Sequence, residues 1–158
     1  MNEKKNLTIK ETFALAVKNQ QKNNIQVAEN LYREILKISP NHTDAHNNLG
    51  IILLQLEKLR EAKSFFQKAT QINPNYVSAH NNLGAVFYET GELQKAISCY
   101  EKAIQINPNY AAAYNNIGNA YIKLEDYGKA IEYCNIALTK AKSFEKEKYY
   151  LSLENSKK

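Results

Sequence analysis

The sequence predicts an all-α fold, an α-solenoid of four antiparallel helix pairs, and three observations predict it. Pro40, Pro74 and Pro108 lie 34 residues apart, and Gly50, Gly84 and Gly118 keep the same interval. Residues 43–76 and 77–110 agree at about half of their positions, so the period governs any reading of single motifs. The chain of 158 residues holds only five Gly and three Pro, a scarcity that long helices tolerate and a many-turned β fold does not.

Each period contains two helical patterns. In 77–90 the residues Ala79, Leu83, Gly84, Val86 and Phe87 fall on one helical face. Thr90-Gly91-Glu92 then supplies a turn, with Gly91 suited to the left-handed conformation that ends a helix. Leu93, Ala96, Ile97, Tyr100, Ala103 and Ile104 mark a second helix, which stops at Asn107-Pro108. Proline lacks a backbone donor and disfavours helix in the residue before it. Helix pairs are expected at about 9–38, 43–72, 77–106 and 111–140. A glycine inside a helix costs roughly 0.8–1 kcal/mol relative to Ala. Its recurrence at one place implies close packing, with Gly84 expected to admit the partner helix at the small residue Ala96.

At this point the sequence resembles the tetratricopeptide repeat family. His80, Leu83, Gly84, Phe87, Ala96, Tyr100, Ala103 and Pro108 fill the places of that family's signature. His46, Leu49, Gly50, Leu53, Ala62, Phe66, Ala69 and Pro74 fill them one period earlier, and Tyr114, Ile117, Gly118, Tyr121, Ala130, Cys134 and Ala137 one period later. The first period departs, with Thr12, Leu15, Ala16 and Asn19 in its first helix. The expected organisation is a flexible N-terminus at 1–8 and four repeats over 9–142, roughly 9–42, 43–76, 77–110 and 111–144. A polar capping helix at 143–155 and a tail at 156–158 would follow, as expected of a complete chain. Lys142 stands where proline would end the last helix, so that helix has licence to run on.

Composition narrows the function classes. The net charge is +5, but residues 43–110 carry six basic and six acidic side chains, so the excess sits towards the two ends. A nucleic-acid binder shows a basic stripe along its folded surface, and no nucleic-acid partner is expected. No stretch is apolar enough for membrane insertion, and the N-terminus lacks a signal peptide. Cys99 and Cys134 match no metal or redox spacing and read as reduced, packed thiols, which suits a cytoplasmic location. His42 and His46 stand four apart, yet one falls in a turn and the other at the large packing position of the repeat, so no metal is expected. No phosphate loop, nucleophile motif or Cys/His cluster is present, and neither an enzyme activity nor a cofactor is expected.

The pairs Asn47-Asn48, Asn81-Asn82 and Asn115-Asn116 demand an account, because Asn is a mediocre helix former. Inheritance by copied repeats is one. The resemblance implies another: the first helices line a concave groove, where one Asn per repeat, Asn48, Asn82 and Asn116, would form a ladder. A carboxamide both donates and accepts, so it can bind a peptide backbone whatever its side chains. This is similar to the asparagine ladder of O-linked N-acetylglucosamine transferases. Ile51, Leu54, Ala85, Tyr88, Asn119 and Ile122 are the neighbouring groove positions. Phe13 and Ala14 take the two places of the pair in the first repeat, so the ladder would have three rungs. With Phe13, Val17 and Asn116 in the groove, the carboxylate clamp of chaperone cochaperones is not written here. The expected function is a protein-interaction scaffold that holds a peptide of a protein partner. The alternatives are a targeting region of a glycosyltransferase- or sulfotransferase-type enzyme, and a self-assembling homo-oligomer.

Overall fold

The computed structural model describes residues 7–155, with side chains described for 7–143. Among the described residues there are eight helices and no strand: α1 (Ile9–Gln21), α2 (Ile25–Ile38), α3 (Thr43–Gln55), α4 (Leu59–Ile72), α5 (Val77–Glu89), α6 (Leu93–Ile106), α7 (Ala111–Lys123) and α8 (Tyr127–Asn155). The expected helix pairs are therefore present. The segment 143–155, expected as a capping helix, continues α8 without a turn, as the absence of proline at 142 allows. Of the expected flexible N-terminus, residues 1–6 lie outside the described residues and Thr8 caps α1; the tail at 156–158 also lies outside them.

The chain forms two compact units, Met1–Ala79 and His80–Lys158. In the first, Ala28, Tyr32, Ile35, Leu49, Ile52, Leu53, Ala62 and Phe66 are fully buried. In the second, Val86, Ala96, Ala103, Ala113, Ile117 and Ala120 are fully buried. Both cores alternate small and large side chains, as interdigitated helices require.

The recurrent glycines show why. A Cβ added to Gly50 would lie 2.6 Å from Phe66 Cε1, and one added to Gly84 would lie 2.5 Å from Tyr100 Cε1. At Gly118 it would meet Cys134 Sγ at 2.6 Å. The glycine is thus the socket for a side chain sixteen residues on. Ala96, expected as the small residue of the approaching helix, is fully buried, and the ring of Tyr100 occupies the space over Gly84; one period on, the Ala130 carbonyl lies 3.3 Å from the position of a Gly118 Cβ.

Turns repeat as faithfully as helices. Asn23, Glu57, Gly91 and Glu125, each 34 residues from the next, all take positive φ, between 57° and 77°. At the second of these, Glu57 N–H donates to Leu54 C=O and Lys58 N–H to Leu53 C=O. That pair of bonds closes a helix through a left-handed residue, and the other three turns reproduce it. The turn between hairpins uses Asn. Asn73 Oδ1 accepts from Asn75 N–H at 3.1 Å, and Asn107 Oδ1 from Asn109 N–H at 3.0 Å. The large residue of the following helix then staples the turn. His46 Nε2 is 2.7 Å from the Pro40 carbonyl oxygen, and Tyr114 O–H donates to the Pro108 carbonyl at 3.1 Å. Tyr76, the last letter of one turn, donates from its hydroxyl to Asp44 at 2.6 Å.

Three outcomes follow from these geometries. Gly84→Ala gains helix propensity of about 0.8–1 kcal/mol but drives its methyl into the buried Tyr100 ring; overpacking costs about 1–3 kcal/mol. Denaturant titration should therefore show a net loss of stability, and a more stable variant would refute the socket. Glu57→Gly should do the reverse, gaining about 0.5–1 kcal/mol, because a left-handed non-Gly residue costs roughly 1–2 kcal/mol and glycine returns only part of that as chain entropy. Lastly, burial holds His46 below its ordinary value of 6.5, opposed by the bond to Pro40 and aided by nearby Lys68 and His42. The folded imidazole stays neutral while the unfolded one takes a proton. Its contribution is complete above about pH 6.5 and is lost as the pH falls further. Melting temperature should drop from about pH 7 to pH 5, and His46→Tyr, which copies Tyr114, should flatten that slope.

Candidate functional site

The three asparagine pairs sit on α3, α5 and α7, and in the first two the first amide is the more deeply buried. Asn47 is 3% exposed and Asn81 is 8% exposed, whereas Asn48, Asn82 and Asn116 are half-buried. Asn115 holds the same place as Asn47 and Asn81 but is exposed. An unbonded buried carboxamide costs about 1–3 kcal/mol, and these are bonded. Asn47 Nδ2 donates to Asn48 Oδ1 at 3.2 Å, and Asn81 Oδ1 accepts from Asn116 Nδ2 at 2.9 Å. Asn48 and Asn116 are thereby oriented by the protein.

In the first unit the orientation of Asn48 involves two further helices. Asn48 Nδ2 donates to the Tyr32 hydroxyl at 3.1 Å, and that hydroxyl donates to Gln20 Oε1 at 2.9 Å. Tyr32 is fully buried, and burial raises its pKa. Phe13, at the place of Asn47 in the first repeat, packs edge-on against Tyr32 and stacks on His42. Ile51 and Leu54, one and two turns beyond Asn48, are half-buried.

In the second unit the face carries more varied chemistry. Ala85, Tyr88 and Asn119 are half-buried, and Ile122 is 49% exposed. Lys123 Nζ lies 3.7 Å from the centre of the Tyr88 ring, a close cation–π contact. Sequence reasoning missed Lys123, Gln20 and Tyr32. No sequence signal marked Lys123: Tyr88 and Lys123 are separated by 35 residues, as are Asn81 and Asn116, whereas the sequence period is 34. One repeat plus one residue is the register at which α5 and α7 meet.

The candidate metal pair is committed elsewhere. His42 Nδ1 accepts from Ala45 N–H at the start of α3, and His46 is bonded to Pro40. Among the described residues no group of three His, Cys, Asp or Glu is placed to hold a metal. Both cysteines are free thiols, and burial pushes Cys99 up to about 11. No helix among the described residues is long and apolar enough to cross a membrane.

Sequence-family models match most of the repeated region. A tetratricopeptide repeat model matches residues 43–76 and 111–144, a second matches 65–98, and a TPR repeat model matches 86–125. No curated protein sequence is a significant match. Among solved structures, the chain is similar to MamA, with 27% identity and a TM-score of 0.80 over 88% of this chain and 81% of that one. It is similar to pilF of Pseudomonas aeruginosa, with 23% identity and a TM-score of 0.77 over 84% of this chain and 61% of that one. The O-GlcNAc transferase of Thermobaculum terrenum is 24% identical, with a TM-score of 0.69 over 76% of this chain and 23% of that one. The 34-residue hairpins, the glycine sockets and the matches to these models agree: this chain belongs to the tetratricopeptide repeat family.

Proposed function

We propose that this protein is an interaction scaffold that binds a peptide segment of a partner on the first-helix face of its repeats. The supporting observation is the way two of these amides are held. Asn48 and Asn116 are held by bonds from buried groups, yet each remains half-exposed. A peptide backbone presents N–H and C=O alternately, and a carboxamide answers both. Fixing the amide before binding lowers the entropy lost on association.

In this reading Asn48, Asn82 and Asn116 touch the peptide, while Asn47 and Asn81 position them. Ile51, Leu54, Ala85, Tyr88, Asn119 and Ile122 supply apolar and polar surface for its side chains, and the exposed Asn115 adds a further amide. Each amide bond adds only about 0.5–1.5 kcal/mol net, so affinity is distributed over several.

The test begins with a partner recovered by the intact chain and a peptide mapped from it. Replacing Asn48, Asn82 and Asn116 together by Ala should weaken that peptide by roughly a hundredfold. Asn116→Ala also strips Asn81 of its donor, so binding is measured well below the melting temperature of each variant, with circular dichroism as the check on folding. Undiminished affinity in a folded triple variant would remove the amides from the recognition.

A further inference from the structure

The other side of the first unit, where second helices α2 and α4 flank α3, carries a cavity of about 470 Å³. That volume lies in the range of ligand sites. Its apolar lining is Leu36, Leu49, Phe65 and Pro40. Around this lining stand Arg33, Lys37 and Lys68. Arg33 is held in place, paired with Glu29 at 2.7 Å and Glu61 at 3.4 Å, with its guanidinium 5.9 Å from the Phe65 ring centre. Lys37 and Lys68 are exposed, and neither has an ion-pair partner among the described residues.

These charges are not a property of the repeat. One period on, the places of Arg33, Lys37 and Lys68 are taken by Gln67, Gln71 and Lys102; two periods on, by Glu101, Gln105 and Ile136. The place of Phe65 passes to Cys99 and then Tyr133. Copied hairpins fold with Gln at both later places of Lys37 and with Lys or Ile at those of Lys68, so packing does not require the two unpaired cations beside this cavity.

A second feature is polar and buried. His46 lines the cavity and is 8% exposed. The Pro40 carbonyl can only accept, so His46 Nε2 carries the hydrogen and Nδ1 is a bare acceptor. That Nδ1 has no hydrogen-bond partner. An apolar cavity, a cationic rim and an unanswered acceptor specify complementary features in an occupant: aromatic bulk, negative charge and an N–H or O–H donor.

We propose that this cavity docks a partner peptide in which a donor-bearing aromatic side chain, Trp or Tyr, is flanked by acidic residues. The aromatic body fills the space between Leu36, Leu49 and Phe65, and its donor meets His46. The acidic neighbours lie against Lys37 and Lys68. This recognition reads side chains and is independent of the asparagine-bearing face.

The probe is an acetylated, amidated pentapeptide of sequence Glu-Asp-Trp-Asp-Glu, with Gln-Asn-Trp-Asn-Gln as its neutral counterpart. The full chain, isotopically labelled, is titrated with each while the methyl signals of Leu36 and Leu49 and the ring signals of His46 are followed. The acidic peptide should move these signals and bind at least about tenfold tighter than the neutral one, with the gap closing as salt is raised. Lys37→Glu with Lys68→Glu should cost about tenfold or more, whereas the distant exposed substitution Lys10→Glu should cost nothing. Exchanging Trp for Phe in the probe should weaken binding to the native chain and leave binding to His46→Phe unchanged. Equal affinity for the two peptides overturns the proposal. So do shifts that spare Leu36, Leu49 and His46, full binding by the doubly substituted chain, or stronger shifts with a short DNA duplex than with the acidic peptide.

Discussion

The structure depends on one contact made three times: a side chain of the second helix seated directly on a glycine of the first. Phe66 on Gly50, Tyr100 on Gly84 and Cys134 on Gly118 bring the backbones of each hairpin closer than any Cβ would permit. Burying an aromatic ring of this kind stabilises by roughly 1.5–3 kcal/mol, more than the glycine costs in helix propensity. The surrounding residues are matched to that distance. Ala62, Ala96 and Ala130 are buried small residues on the second helices, and Ala45, Ala79 and Ala113 are their counterparts on the first. The fourth hairpin seats a thiol where earlier ones seat a ring, so its socket holds less apolar surface. In the first hairpin Ala16 replaces the glycine, and Tyr32 instead places its hydroxyl between Gln20 and Asn48.

Fixing the hairpin fixes what the first helices present. With Leu49 and Leu83 directed into the cores, the residues just before them, Asn48 and Asn82, are half-buried. A helix turns about 100° per residue, so the two amides of a pair point in different directions. That explains the doubled letter in physical terms. Asn47 and Asn81 are buried and need partners; Asn48 of the same pair serves the first and Asn116 of the next pair the second, and both partners keep part of their surface. Asn115 shows the converse. It occupies the buried place of its pair, and it is exposed in the last repeat.

Much of this was legible in the sequence, because a period of 34 residues lets each repeat serve as a control for the others. The helices, the proline-marked turns and the left-handed Gly91 were readable directly. Asn23, Glu57 and Glu125 were not, since neither Glu nor Asn announces positive φ as glycine does, yet their spacing from Gly91 gives them away. The ring over Gly84 was not foreseen, because two small residues, Gly84 and Ala96, suggest that nothing large lies between the helices. Side-chain direction along a helix decides otherwise, and it lets the long Tyr100 ring reach back over Gly84. The burial of Asn81 was hidden for a related reason. Its partner Asn116 lies 35 residues on, and the crossing of adjacent helices that sets this register is not written in composition or periodicity.

Charge was the least legible feature. Segment totals averaged away the rim formed by Arg33, Lys37 and Lys68, because these residues lie on two helices and fall in stretches of different net charge. Folding, not sequence proximity, gathers them. The two faces of the first unit consequently differ in what they can discriminate. Carboxamides such as that of Asn48 address groups that every peptide backbone possesses, and so confer affinity with little preference among sequences. A cationic rim over an apolar floor discriminates by side chain, since burying a mismatched polar or charged group there carries a cost that no compensating contact removes. A repeat architecture permits this separation, because a substitution such as Gln to Arg at a second-helix surface position leaves the glycine socket untouched. Selection can therefore alter recognition at such a position without disturbing the packing on which the hairpins depend.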